Sequence, residues 1–242
     1  MRILKELYNS IPAYPVKEVF AGVFDILVWS ENLGIATTVM EEQLPHAGIR
    51  NSKSLLTKNT RELAKYVFSE NWLEASLGMA AINSALPIQT KTQNINAKEI
   101  IVKKGRDKKV GIIGHFPFIE KFQNQFEKLY VFEKKPRNED LSEKEIPDYL
   151  PQADVVAISS TTLTNHTFEN IMQNIKKDCF VILLGPTSPV SPILFDFGVN
   201  AVSGVYFDNN EKNIIYQVKE ATPYRFIKGK KYVTIFREDY ID

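Results

Sequence analysis

Three short stretches of the chain place hydroxyls, glycines and amides in loop-forming company. They are Gly114-His115-Phe116, then Ser159-Ser160-Thr161-Thr162 with Asn165 and His166 following, and then Gly185-Pro186-Thr187-Ser188-Pro189. Each follows a short apolar run, at 110–113, 154–159 and 180–184. Runs of that length read as buried strands. In an open α/β sheet a ligand lies beyond the C-terminal strand ends, where the strand order reverses. Three such loops at one sheet edge would gather short donors and backbone N–H groups, which suits a small polar or anionic ligand. Ser, Thr, Gly and Pro are also the ordinary material of turns and caps, so any one loop taken alone is equally consistent with turn chemistry.

The first loop lies within KKVGIIGHFPFIEKF, residues 108–122. The apolar run ends at Gly114, and after Pro117 the spacing predicts a helix with Phe118, Ile119, Phe122 and Phe126 on one side. Strand, glycine and helix start is how a Rossmann-like half begins, with the free N–H groups of the helix aimed into the turn. A dinucleotide site needs two more glycines after the first. Phe116 and Ile119 stand in those places. The first would occupy the space of the pyrophosphate, so tight binding of NAD(P) is not expected. Glu133 ends the second strand of this half, 19 residues after Gly114. An acid there binds ribose hydroxyls in a nucleotide fold, and a solvated carboxylate is the alternative.

Metal ligands are sparse. The three histidines are His46, His115 and His166, with no HxH or HExxH spacing, and Cys179 is the one cysteine. A single thiolate cannot form the cage that soft heavy metals prefer, and a structural zinc site is not expected. Cys179 opens a strand and reads as a small buried apolar residue. His115, His166 and Glu133 all follow strands at the same predicted edge, so these three are the candidate metal ligands, against the ordinary reading of loop histidines as surface groups. Further upstream, Glu74 and Asn83 interrupt a helix otherwise built from Leu, Ala, Met and Ile. A carboxylate on a closely packed helix needs a partner. The expectation is that both face a cleft, with a solvated face the alternative for Glu74. Glu41 and Glu42 read as surface charge, the first within possible reach of the cleft. No GxSxG elbow and no Walker loop is present.

The elements that must position these residues fall into two groups. Residues 1–15 predict a helix stopped by Pro12 and Pro15, 24–30 and 35–40 a hairpin, 61–68 a helix capped by Asn59 or Thr60, and 71–86 a helix of small, closely packed residues. The polar stretch QTKTQNIN at 89–96 is the candidate linker. Beyond it come a helix near 98–103 and strands at 110–113, 129–133, 154–159, 180–184, 201–207 and 232–236. Between them lie a charged loop at 134–151, a helix at 167–177, and a turn at 193–197 closed by Gly198. Strands alternating with helices predict a parallel sheet. The expected division is 1–93 and 94–242.

Composition narrows the function classes. Apolar residues make up 44% and charged residues 24% of 242, with a net charge of +1. This gives no global attraction to nucleic acid or an anionic membrane. No apolar run reaches the roughly 20 residues of a membrane span, and the N-terminus lacks the apolar centre of a signal peptide. With one cysteine, a cytoplasmic location is expected. The lysine pairs at 103–104, 108–109 and 134–135 read as solvated faces. Self-association is left open.

Several stretches together resemble a known family: FDILVWS, ENWLEASLGMAAINS, KVGIIGHFPF, ADVVAISSTTLTNHTFENI and VILLGPTSPVSPILFDFGV. The likeness is to the family described as "putative heavy-metal chelation" and runs from about Gly22 to the final strand. It implies an α/β fold in which a domain like the enolase N-terminal domain precedes a Rossmann-like, mostly parallel sheet domain, with a cleft between them. The expected role is binding of a small molecule or metal complex in that cleft, heavy-metal chelation by the resemblance, with a metal ion as the candidate cofactor. The alternative is a transferase or lyase acting on a small anionic metabolite there. The expected lining is Glu74, Asn83, Gly114, His115, Phe116, Glu133, Ser160, Thr161, Thr162, Asn165, Gly185, Pro186, Thr187 and Ser188.

Overall fold

A computed structural model describes residues 1–40, 48–116, 118–137, 139–207 and 211–240. Glu41, Glu42, His46 and Pro117 lie outside the described residues. The chain opens with helix α1 (Arg2–Ser10). It ends five residues earlier than the sequence suggests, because Ile11, directly before Pro12, is extended. A small antiparallel sheet follows, made of β1 (Glu18–Ala21), β2 (Asp25–Trp29) and β3 (Leu33–Thr37) in that order. β1 was not legible, since its four residues are half-buried and show no clean alternation.

Two helices pack on this sheet. α2 (Thr60–Ala64) continues as a 3-10 turn through Phe68, and Asn59 caps it in a reciprocal box with Glu62. α3 (Trp72–Ala85) is capped by Asn71. α3 is closely packed, as its small residues predict. A Cβ on Gly34 of β3 would lie 2.1 Å from the Ala80 carbonyl, and one on Gly78 would lie 2.0 Å from the Val67 nitrogen. Those backbones touch only because no side chain intervenes.

The second half opens with α4 (Ala97–Gly105) and β4 (Lys109–Ile113). The helix predicted after Pro117 is absent from the described residues, where 3-10 turns span Ile119–Lys121 and Gln123–Gln125. Phe118, Ile119 and Phe126 pack against the sheet from these turns, so their burial does not require the helical spacing they mimic. β5 (Lys128–Glu133) comes next. The predicted loop at 134–151 contains β6 (Leu141–Ser142), a capped turn and α5 (Ile146–Tyr149) with Pro147 at its start, where a proline is tolerated. β7 (Val155–Ser159), α6 (Thr161–Thr164), α7 (Phe168–Met172), β8 (Phe180–Leu184) and β9 (Ala201–Phe207) follow. α8 (Glu211–Lys219) and β10 (Lys230–Phe236) complete the chain.

The seven strands run in the order β10-β9-β8-β7-β4-β5-β6, parallel except for the β9–β10 pair. Counted from β4, six of them follow 3-2-1-4-5-6, the order of doubly wound dinucleotide-binding sheets. The order reverses between β4 and β7, which pair from Val110–Val155 to Ile113–Ile158. Alternate residues serve the two faces. Val156 and Ile158 join a core shared with α1, α3 and the β2 residues Ile26 and Val28. Val155 and Ala157 face α4. Leu27, on the other face of β2, packs against Ile214, Ile215 and Val218 of α8. Cys179 is buried, and burial pushes its thiol up to about 12. No described helix is long and apolar enough to cross a membrane.

The closeness of α3 to β3 makes a direct prediction. Gly34→Ala should destabilise the protein by about 3 kcal/mol or more, the upper range for overpacking, since the obstacle is backbone rather than a movable side chain. Thermal or urea unfolding would measure it.

Candidate functional site

The sheet opens a crevice beyond Ile113 and Ser159, at the switch point. Gly114, with φ +99°, turns the chain out of β4 in a conformation that favours glycine. Its N–H donates to the Phe132 carbonyl at 2.9 Å, keeping β4 and β5 together past their formal ends. Glu133, the last residue of β5, then fixes the next turn. Its Oε1 accepts from the His115 N–H at 2.7 Å and its Oε2 from the Lys134 N–H at 3.0 Å. The carboxylate that would hold a ribose is spent on backbone. His115 is held in turn by Asp140, whose carboxylate lies 3.1 Å from Nδ1.

On the other side of the switch point, Ser159 Oγ and Thr161 Oγ1 lie 2.9 Å apart, and Thr162 Oγ1 donates to the Ser159 carbonyl at 2.7 Å. Asn165 Oδ1 accepts from Thr167 Oγ1 at 2.7 Å and from the Thr167 N–H at 3.2 Å. This fixes the amide and turns its NH2 group away from the bond. A cleft of about 550 Å³ lies between these groups. Its C-terminal wall includes Gly114, His115, Phe116, Glu133, Thr161, Thr162 and Asn165; Val39 and Trp72 close it from the N-terminal side. Lys134 stands over the Trp72 ring, its Nζ 4.3 Å from the centroid.

Of the three loops expected at this sheet edge, those at 114–116 and 159–165 line this cleft. Sequence reasoning missed Trp72, which sits at the start of α3 and had no signal beyond its aromatic ring, and it read Lys134 as solvated charge. The third loop lies elsewhere. Gly185, Pro186, Thr187 and Ser188 are absent from the cleft lining. Thr187 Oγ1 accepts from the Thr37 N–H at 2.9 Å, and its carbonyl accepts from Asn83 Nδ2 at 3.2 Å. Asn83 Nδ2 also donates to the Ile35 carbonyl at 2.9 Å. These residues clasp β3 and α3 to the end of β8, and Asn83, Pro186 and Ser188 border a separate cavity of about 130 Å³. Ser160 is buried beneath the wall, with its Oγ 2.8 Å from where a Cβ on Gly185 would be.

Glu74 does not reach the cleft. Its side chain is 1% exposed and closed by Arg50, which donates from Nε at 2.9 Å, from its backbone N–H at 2.7 Å, and pairs through Nη2 at 2.8 Å. Ser69 Oγ adds a bond at 2.6 Å. The partner demanded by burial is thus supplied within the same half of the chain. His166 also departs from expectation. Its Nε2 lies 2.8 Å from the Val67 carbonyl, which can only accept, so that nitrogen carries the proton. The residue is a tether between the halves, and the trio of His115, His166 and Glu133 is not assembled. Among the described residues no three His, Cys, Asp or Glu side chains gather as a metal site.

Comparison with known proteins places this arrangement in a family. Residues 4–86 and 96–236 match two family models, DUF4213 and DUF364, each described as "Putative heavy-metal chelation". The chain belongs to the DUF364 family. It is 32% identical over 211 residues to an uncharacterised protein of Methanocaldococcus jannaschii, covering 83% of this chain and 80% of that one. Crystal structures of DUF364 proteins of unknown function share its fold. That from Pyrococcus horikoshii has a TM-score of 0.81 at 22% identity, covering 97% of this chain and 98% of that one. That from Desulfitobacterium hafniense has a TM-score of 0.79 at 24% identity, covering 97% of each chain.

The Glu74 environment makes a prediction for this DUF364 protein. Burial raises the carboxyl, but the hydrogen bonds from Arg50 and Ser69 and the charge of Arg50 outweigh it and hold the group below the ordinary carboxylate range. A depressed acid stabilises the fold above its unfolded pKa and loses that contribution as pH falls through the folded value. Glu74→Gln should therefore cost about 1.5–3 kcal/mol at pH 7, with the gap to the parent closing below about pH 4. Urea unfolding at both pH values checks this.

Proposed function

We propose that residues 1–93 and 94–242 form two domains, enolase-N-terminal-like and Rossmann-like, and that the cleft between them binds a small organic ligand or a metal already held by one. The observation that carries this is the cleft at the switch point, walled by Gly114, Thr161, Thr162 and Asn165 and closed by Trp72 from the other half. Such a wall offers hydroxyls, amides and an aromatic ring, which match an organic surface. Glu133 and Glu143 bring carboxylates to the lining, but among the described residues no three His, Cys, Asp or Glu side chains gather to hold a bare heavy-metal ion. The family description is then accommodated if the organic partner supplies the coordination and the protein reads its periphery. Glu133 and Phe116 argue against a dinucleotide, since the first is engaged with backbone and the second stands where phosphate would pass.

A second reading has one specific observation in its favour. Asp140 holds His115 Nδ1 at the edge of the same cleft, an arrangement that fixes the tautomer of an imidazole serving as acid or base. A transferase or lyase acting on a small anionic metabolite would use it. Turnover abolished by His115→Gln, with ligand affinity retained, would favour this reading over simple binding.

The binding proposal is tested by calorimetry with zinc or nickel ion alone and with the same ion as its citrate or histidine complex. Binding of a complex, with bare ion weak, is expected. Asn165→Ala and Trp72→Ala should each weaken that binding by roughly tenfold to a hundredfold, the equivalent of about 1.4–2.8 kcal/mol. Glu74→Gln should leave affinity unchanged. Stoichiometric binding of bare ion that ignores Asn165→Ala would reject the reading. Separately, NAD should bind no tighter than millimolar, and a micromolar dissociation constant would contradict the argument from Glu133 and Phe116.

A further inference from the structure

Asp25 opens β2 on the face that carries Leu27, and its side chain is 1% exposed. Among the described residues neither carboxylate oxygen has a hydrogen-bond partner, and both are sealed from solvent. The contrast with Glu74 is complete, because that buried carboxylate is bonded on both oxygens. A carboxylate sealed from water without partners is among the costliest groups a fold can hold in its charged form. Among the described residues, α8, β9 and the turn Tyr224–Phe226 pack on this face, β3 lies beside Asp25 in the sheet, and Lys230 of β10 acts on it. β3 offers Thr37 opposite Asp25. α8 offers Ile214, Ile215 and Val218, with Lys219 engaged by Glu18 at the edge. The turn and β10 bring the titratable neighbours Tyr224, Tyr232 and Lys230, of which Lys230 is the cation that acts on Asp25.

Lys230 is not bonded to Asp25. Its Nζ donates to the Tyr224 carbonyl and lies 4.6 Å from the Tyr224 ring centroid. A charged lysine thus stands near a carboxylate that lacks any donor, yet bonds a neutral carbonyl instead. Burial without partners costs Asp25 far less in its protonated form than in its charged form.

We propose that Asp25 is a proton-operated catch between the N-terminal sheet and the β10 edge: protonated, it lies sealed in the seam; ionised, it draws Lys230 from the Tyr224 carbonyl and loosens the 224–232 segment from β2. The catch reaches the cleft through β3. Thr37 pairs with Asp25, the Thr38 N–H donates to the Phe24 carbonyl, and Val39 lines the cleft.

Burial raises the Asp25 carboxyl from 3.8 to about 7, with Lys230 opposing. An acid raised on folding contributes stability that is present below its unfolded pKa and is lost as pH rises through the folded value, so the window runs from about pH 4 to pH 7. Each unit within it changes the folded-to-unfolded ratio by up to about tenfold from this group alone.

The test is urea unfolding of the full chain from pH 5 to pH 8, for the parent, Asp25→Asn and Lys230→Met, with carbon-13 titration of the Asp25 carboxyl in the parent. The carboxyl should titrate near pH 7. Asp25→Asn should remove the fall in stability, gaining roughly tenfold to a hundredfold in folding ratio at pH 8 relative to its value at pH 5. Lys230→Met should steepen the fall above pH 7, because the ionised acid then has no catch. Amide exchange at 224–232, corrected for intrinsic rate, should quicken with pH in the parent and not in Asp25→Asn. A carboxyl titrating below pH 5, an unchanged slope in Asp25→Asn, or a Lys230→Met slope like the parent's overturns the proposal. If Asp25→Asn does not fold, the carboxyl titration and Lys230→Met decide it.

Discussion

Thr187 is the point on which the geometry of the cleft depends. Its hydroxyl accepts from the Thr37 N–H at the end of β3, and its carbonyl accepts from Asn83 on α3. It is fully buried, so each of these bonds operates away from competing water. β3 and α3 carry Val39 and Trp72 to the cleft, while Thr187 itself follows β8 of the seven-stranded sheet. Two sheets that share no strand are thereby fixed by one residue that bonds to both elements of the smaller layer. Further links include His166 to Val67, Ile3 to Glu169, Glu18 to Lys219 and Gln89 to Tyr206. A hydrophobic core shared across the junction supplies attraction without direction. The polar clasp supplies the direction.

That role explains why the third loop was misread. Gly185-Pro186-Thr187-Ser188 has the composition of an anion-binding turn and follows a strand at the correct edge. The Thr187 hydroxyl is taken by a neighbouring layer that cannot be located from sequence, and Ser188 Oγ is buried without a partner among the described residues. The same reason separates Glu74 from the cleft. Its helix predicts that the acid is buried and needs a partner, which is correct, but the partner is Arg50, 24 residues upstream, at a spacing no periodic rule connects. The strands were legible because an apolar run bounded by Gly or Pro has few alternatives. β4, β5, β7, β8 and β9 lie within a residue of expectation. The stretch after Pro117 was not legible, since aromatics at helical spacing pack equally well from two short 3-10 turns.

A chelator in the usual sense presents converging thiolates, imidazoles or carboxylates. In this chain those groups are few, and the structure has already committed several of them. Glu133 holds backbone, His166 holds the Val67 carbonyl, Glu74 holds Arg50, and Cys179 is buried with its thiol raised. What remains toward the cleft is a mixed lining, in which the hydroxyls and amides of Ser159, Thr161, Thr162 and Asn165 stand beside the charged side chains of Lys134, Glu143 and Lys144. A fold of the doubly wound type supports such a lining well, because the crevice at the switch point exists whatever the loop composition. Phe116 and Ile119 stand where the second and third fingerprint glycines would be, and the crevice is present nonetheless, with Phe116 in its lining.

The two buried carboxylates show how one fold treats the same chemical problem in opposite ways. Glu74 has more donors than it needs, and its cost is met inside one half of the chain. Asp25 has none among the described residues, and the cation that acts on it, Lys230, belongs to the other half. A group satisfied locally makes its own half rigid and contributes nothing to communication between halves. A group left unsatisfied at a junction makes the junction sensitive to whatever can satisfy it, whether a proton or a moving lysine. Strain of that kind persists only where the surrounding structure over-determines it. The packing of Leu27 on Ile214, Ile215 and Val218 provides such a surround. The seam near Asp25 is therefore where a change of one proton would act on both halves, and β3, which pairs with Asp25 at Thr37 and leads to Val39 in the cleft lining, is the element in the proposal that would carry it.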